Sequence, residues 1–284
     1  MTEAGPGAGS EAEAPTGADG GVPARLDVEL VRRGLARSRA HARAAIEEGR
    51  VEVDGRVATK PAAPTAHSAA IEVRDPDRYV ARSAHKLIAA LDALAIDPAG
   101  RLALDVGAST GGFTQVLLER GAREVIALDV GHDQLVPELR ADPRVRVVEG
   151  ANARELTPAS LAELAGTAEA PELVVADVSF IPLGAILPAL VAVATPDAEF
   201  VLLVKPQFEV GRSAVRAGIV RERAARLEAV RGVGRAMAGL GLGVRGVLSS
   251  PILGSAGNRE YLLAATRGVG GDPTEWEGAL AALD

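Results

Sequence analysis

"LALDVGASTGGFTQ", residues 102–115, decides how this chain is read. An apolar run around Asp105 gives way to a turn of small residues, and "GGFTQVLLERGA" then follows with helical spacing. Strand, glycine turn and helix in that order open a parallel α/β unit. Gly107, Gly111 and Gly112 allow a backbone to approach a ligand closely, although their spacing is not the G-x-G-x-x-G of dinucleotide folds.

Working downstream, further strands are expected at 124–130, 145–149, 173–178, 200–205, 244–249 and 260–265, with helical patterns between most of them. The alternation predicts an α/β fold, a mostly parallel, Rossmann-like sheet covered by helices on both faces. Ligands of such sheets bind beyond the strand carboxyl ends, where the winding reverses. Asp129 closes the strand after the turn, where a carboxylate can accept both hydroxyls of a ribose. Asn152, after the third strand, is placed either to meet an adenine edge or simply to form a turn. Taken alone, this corner fits S-adenosylmethionine, a nicotinamide cofactor or a purely structural turn.

With 284 residues and 48% hydrophobic content, one sizeable domain plus a small one is expected. The chain has no cysteine, which excludes disulfides, thiolate metal sites and thiol nucleophiles and suits a cytoplasmic protein. Residues 1–24 are acidic and lack an apolar run, so they read as a disordered tail rather than a signal peptide. The longest apolar run, 180–195, is too short for a membrane span and contains Pro182 and Pro188. His41, His67, His85 and His132 show no paired ligand spacing, so no metal is expected.

The net charge of −7 hides an uneven distribution. Between residues 25 and 60 nine basic residues face six acidic ones. Leu26, Leu30, Val31 and Leu35 keep helical spacing, Ser38 can cap a second helix running to Glu48, and Asp54-Gly55 reads as a two-residue hairpin turn. Arg39 and Arg43 share a face of the second helix, as phosphate contacts require, though a solvated helix face has the same pattern. Residues 61–70 form a connector rich in proline and alanine, inside the small module or at its edge.

All 31 basic residues except Lys60, Lys86 and Lys205 are arginine. Lysine has a compact head and can lose its proton when desolvated, which arginine does not. Lys205 ends the apolar strand "EFVLLVK", and Lys86 begins a helix just before the glycine turn. Asp177 ends the fourth strand and Glu260 opens a late one, so four titratable groups converge on one rim of the sheet.

The order Lys86, Asp177, Lys205, Glu260, within "RSAHKL", "VVADVSFIPL", "LLVKPQFE" and "GNREYLL", resembles the catalytic tetrad of FtsJ-like ribose methyltransferases. The stretch 25–74, with "EEGRVEVDGR" and a trailing "KP", resembles an S4 RNA-binding domain. Joined, they resemble the TlyA family of ribosomal RNA 2'-O-methyltransferases, historically labelled hemolysin A. The resemblance implies a class I methyltransferase sheet over residues 81–270, a small α+β S4 domain and linker over 25–80, and a C-terminal segment over 271–284.

It further implies methyl transfer from S-adenosylmethionine to a cytidine 2'-hydroxyl in 16S and/or 23S ribosomal RNA. Cofactor contacts would come from Asp105, Gly107, Ser109, Thr110, Gly111, Gly112, Phe113, Asp129 and Asn152. RNA contacts would come from Arg25, Arg32, Arg33, Arg37, Arg39, Arg43 and Arg50. Lys205 would act as the base or orient a lone pair, with Asp177 and Glu260 setting the lysine positions. Residues 206–222 would form a mobile loop that closes over substrate. The implied partner is ribosomal RNA or a ribosomal subunit, and the oligomeric state is left open, a monomer being compatible. The competing readings are a membrane-active hemolysin, a non-catalytic RNA-binding assembly factor and a nicotinamide oxidoreductase.

Overall fold

The computed structural model describes residues 23–36, 38–47, 49–74, 78–211, 215–254, 256–268 and 273–283. Residues 1–22 of the expected acidic tail, Arg37 and residues 212–214 of the expected closing loop lie outside the described residues. The chain forms two compact units, 1–77 and 78–284.

In the first unit β1 (Ala24–Arg25) leads into α1 (Leu26–Arg32) and α2 (Arg39–Glu47), then β2 (Val51–Val53), β3 (Arg56–Val57), β4 (Pro64–Thr65) and β5 (Ile71–Val73). Ala24 already pairs with Thr65, so order begins inside the stretch expected to be tail. Ser38 caps α2 by accepting from the His41 backbone N–H at 3.2 Å. The hairpin turn has positive φ at both Asp54 (49°) and Gly55 (74°), the twist that joins β2 to β3 without splaying them. Leu26, Leu30, Ala42, Ile46 and Val51 are fully enclosed as its core. The connector 61–70 belongs to this unit: β4 pairs with β1, and His67 reaches the buried Glu29 at 3.0 Å.

The second unit alternates strand and helix: α3 (Ala84–Ala93), β6 (Leu102–Val106), α4 (Gly112–Glu119), β7 (Glu124–Leu128), α5 (Pro137–Arg140), β8 (Val145–Val148), α6 (Pro158–Ala165), β9 (Leu173–Ala176), α7 (Leu187–Val193), β10 (Glu199–Val204), α8 (Pro206–Glu209), α9 (Arg223–Gly239), β11 (Leu242–Ser249), β12 (Tyr261–Arg267) and α10 (Pro273–Ala282). Its sheet has the order β11-β12-β10-β9-β6-β7-β8, with β12 antiparallel to both neighbours and the remaining pairs parallel. From β6 the chain winds outward through β7 and β8, then returns to β9 and β10 on the other side. The winding therefore reverses between β6 and β9, directly beyond the glycine turn.

Both sheet faces are buried. Leu104, Ile126, Val174 and Leu202 point to one core, and Ala103, Val125, Val175 and Val201 point to the other, which α3 and α4 cover with Leu87, Leu91 and Leu117. Side chains alternate along a strand, so Asp105, Asp177, Lys205 and Glu260 all fall on the α3–α4 side. The C-terminal segment folds as α10 and lays Trp276 against Gly234 of α9. Among the described residues no helix is long and apolar enough to cross a membrane.

Candidate active site

Two ladders bring the tetrad together. β10 and β12 pair antiparallel up to Val204 opposite Tyr261, so the next residues, Lys205 and Glu260, leave the sheet side by side. β9 runs parallel to both β6 and β10 and ends at Ala176, and the Asp177 backbone N–H donates to the Val106 carbonyl at 3.0 Å. Lys86 enters from the first turn of α3.

The four side chains form two ion pairs. Lys86 Nζ donates to Glu260 Oε2 at 2.5 Å, with side chains only 7% and 3% exposed. Lys205 Nζ lies 2.6 Å from Asp177 Oδ1, at an angle outside hydrogen-bond alignment, and donates to Ser179 Oγ at 2.8 Å. The first pair is sealed, and its charges need one another to be buried at all. The second pair opens onto a cavity of 220 Å³ that Ser83, Thr110, Phe113 and Ser179 also line.

That cavity shares Gly107, Ser109, Asp177 and Ser179 with a larger one of 620 Å³. The larger chamber has apolar walls from Leu128, Val130, Ile181 and Ile186 and polar ends at Asp129 and Asn152. Its size is that of a small-molecule site. Asp129 Oδ2 accepts from the Ser109 backbone N–H at 2.8 Å and Oδ1 from that of Gly131 at 2.7 Å, which fixes the carboxylate at the rim. Asn152 caps a short helical turn through the Arg154 N–H, as its turn-forming reading expects, and also lines the chamber.

Asp105, Gly111 and Gly112 build the corner from behind instead of facing the cavity. Gly111 has φ 102° and its missing side chain makes room for Leu135 and Leu139 of the neighbouring segment. A Cβ on Gly112 would sit 2.5 Å from Ser83 Oγ. Asp105 is completely buried and accepts from Thr114 Oγ1 at 2.7 Å. Burial, reinforced by the charges of Asp177 and Asp129, pushes its carboxyl up to about 7, against the Thr114 bond.

The upward shift of this acid has a defined sign. The unfolded chain loses the Asp105 proton near 3.8 and the folded chain near 7, so folding is favoured below pH 3.8 and weakens progressively up to about 7. The full loss is on the order of 4 kcal/mol. Asp105→Asn should therefore gain stability relative to the parent as pH rises from 5 to 8. A difference in melting temperature that stays flat over that range would refute the assignment.

Sequence reasoning missed Ser83, Ser179 and Phe180. Phe180, which lines the larger chamber, is 91% exposed, with φ 67° and its ring 5.2 Å from that of Phe208. A positive φ on a bulky residue is a strained backbone of the kind found at functional sites, and nothing in the local sequence announces it. Glu209 of α8 accepts from the Leu183 N–H at 2.8 Å, tying this loop to the segment after Lys205, and burial pushes its carboxyl upward.

Arg25, Arg32, Arg39 and Arg43 of the first unit have side chains 45%, 53%, 62% and 60% exposed. Arg33 is turned inward: it pairs with Glu29 at 2.7 Å and donates to the carbonyls of Ala69 and His67, so it serves the fold of the unit. Arg50 precedes β2 and is half-buried.

A doubly covered sheet, a glycine corner at its winding reversal and paired lysines and acids at its rim define the class of Rossmann-like methyltransferases. Residues 79–267 match the FtsJ-like methyltransferase family and residues 24–64 match the S4 domain. The chain belongs to the TlyA family, in which these two domains are joined. It is 51% identical to the 16S/23S rRNA (cytidine-2'-O)-methyltransferase TlyA of Mycobacterium tuberculosis, over 84% of this chain and 88% of that one. It is 37% identical to Hemolysin A of Brachyspira hyodysenteriae, over 84% and 98% of the two chains. A solved Streptococcus thermophilus protein described as a candidate hemolysin superposes with a TM-score of 0.72 at 35% identity, covering 92% of this chain and 96% of that one.

Proposed function

We propose that this protein methylates the 2'-hydroxyl of a cytidine in 16S and/or 23S ribosomal RNA, using S-adenosylmethionine. The observation that carries the reading is the Lys205–Asp177 pair, with Lys205 lining the smaller cavity and Asp177 lining both, and the Lys86–Glu260 pair beside it. In this reading residues 25–80 serve as RNA-binding domain and linker, residues 81–270 as the catalytic domain, and the protein works in the cytoplasm on ribosomal RNA or its subunits.

The residues present fit the cofactor. The 620 Å³ chamber offers apolar walls for a purine, the Asp129 carboxylate for ribose hydroxyls and Asn152 for a base edge. Gly107 and Ser109 lie where it meets the smaller, more polar cavity. When bound, S-adenosylmethionine supplies an already activated methyl group. What remains for the protein is to align the ribose oxygen with it and to receive one proton. Lys205 Nζ, an ammonium in its pair with Asp177, can orient an oxygen lone pair, and it can take that proton once its own has passed to the Asp177 carboxylate; Asp177 and Ser179 fix its position. Glu260 neutralises Lys86 and keeps a second charged amine in place behind the site.

Purified protein, S-adenosylmethionine with a labelled methyl group and ribosomal subunits test this directly. The label should appear on a cytidine ribose, where it protects the adjacent phosphodiester from alkaline hydrolysis. Label confined to base atoms, or its absence from RNA, overturns the reading.

Phe180 has a place in the same reading. An exposed ring held on strained backbone beside the site is a stacking platform for an unpaired base. Phe180→Ala should lower kcat/KM for RNA by roughly tenfold or more, with folding retained and a smaller loss of cofactor affinity because Phe180 also lines the larger chamber, and Phe180→Trp should restore it. Equal activity of the alanine and tryptophan variants would remove Phe180 from substrate recognition.

A further inference from the structure

Asp27 sits in the first turn of α1 with its side chain only 3% exposed, yet it contacts two arginines that are largely outside. Arg25 donates to it through Nε at 2.9 Å and Nη2 at 3.0 Å, and Arg39 through Nη2 at 3.1 Å. Arg25 comes from β1 and Arg39 from the start of α2, so one carboxylate joins guanidinium groups of separate elements. The Arg25 bonds, helped by Arg39 and opposed by burial, hold Asp27 at about 2, and it is ionised across the physiological range.

Burying a carboxylate beside Leu26 and Leu30 is expensive and would be avoided by an apolar residue there. What an apolar residue cannot do is orient two long, flexible cations. Each guanidinium keeps further N–H donors directed away from Asp27. Neighbouring arginines differ: Arg32 and Arg33 converge on Glu29, and Arg33 is also spent on backbone carbonyls, while Arg43 is paired with the exposed Glu47 at 3.8 Å.

We propose that Asp27 is a positioning residue that presents Arg25 and Arg39 as a pre-ordered pair for two phosphates of the ribosomal RNA backbone. The step rests on the RNA-binding reading of the first unit. Its consequence runs against simple electrostatics, since removing a negative charge from an RNA-binding surface should strengthen binding. If Asp27 acts by ordering, its removal weakens binding, because complex formation must then immobilise two free arginine side chains.

The test is the affinity of the full-length protein for intact ribosomal subunits over a series of salt concentrations. Asp27→Asn should bind roughly tenfold more weakly, with an unchanged slope of log K against log salt, because both cations remain. The double variant Arg25→Ala/Arg39→Ala should lose affinity and lower that slope by about two. Thermal unfolding checks that Asp27→Asn is folded. If it is not, Arg25→Lys/Arg39→Lys decides, since it keeps Asp27 and both charges but loses the planar fork, and it should show the same weakening at unchanged slope.

Asp27→Asn, if folded, or the double lysine variant binding as tightly as the parent overturns the proposal. A double alanine variant with unaltered affinity and slope overturns the RNA-binding reading itself. Cofactor affinity should be unchanged in every variant, because both cavities are lined by the other unit.

Discussion

Lys205→Ala should lower methyl transfer by roughly 10²–10⁴-fold while leaving cofactor affinity within about twofold of the parent. The amine lines the smaller cavity, 2.6 Å from Asp177 and 2.8 Å from Ser179, two residues that line both cavities, and its side chain is 11% exposed. Removing it leaves the 620 Å³ chamber intact, because none of that chamber's walls comes from Lys205. Lys86 is a less informative target: its loss strands a Glu260 carboxylate that is 3% exposed, which costs about 3–5 kcal/mol of folding and blurs any catalytic effect. Lys205→Arg sharpens the experiment, since it preserves a positive charge but not a group able to surrender a proton. Inactivity of both variants, with normal calorimetric titration of S-adenosylmethionine, supports proton handling. Near-full activity of Lys205→Ala eliminates the role, and activity in the arginine variant alone would reassign it to charge.

Most of this site was legible in the sequence because its residues terminate strands that are themselves plain to read. β6 begins and ends where the apolar run around Asp105 does, and Lys205 follows directly on the run that forms β10. The convergence of Lys205 and Glu260 depends on β12 entering the sheet antiparallel between β10 and β11, a pairing that strand-like composition alone does not specify. Alternation explains why Asp105, which the resemblance placed among the cofactor contacts, faces α4 and bonds Thr114. Counting charges between residues 25 and 60 also missed that Asp27 and Glu29 are buried organisers, so that Arg33 faces inward although its type and spacing match its exposed neighbours. Phe180 escaped notice because its meaning lies in exposure and a positive φ, neither of which an apolar letter in an apolar run reveals.

The glycine corner yields the second large expectation. Gly107→Ala should reduce methylation by more than about a hundredfold, weaken cofactor binding and destabilise the protein by roughly 3 kcal/mol. Two penalties combine. Gly107 has φ 83°, which costs a residue with a side chain on the order of 1 kcal/mol. A Cβ there would also stand 2.6 Å from the Asp177 carbonyl oxygen and 3.1 Å from its carbonyl carbon, so the backbone that leaves β9 at Asp177 must move. That movement pries β9 from β6 at the winding reversal and carries the Asp177 carboxylate away from Lys205. Gly121 supplies the control, having the same φ of 83° but no neighbour nearer than Ala99 at 3.6 Å. Gly121→Ala should show the backbone cost alone, with activity and cofactor affinity preserved. Thermal unfolding and calorimetric titration of the two variants separate the collision from the strain. Should they match in stability, cofactor affinity and rate, Gly107 is an ordinary turn glycine and the crevice between β6 and β9 does not govern the chemistry.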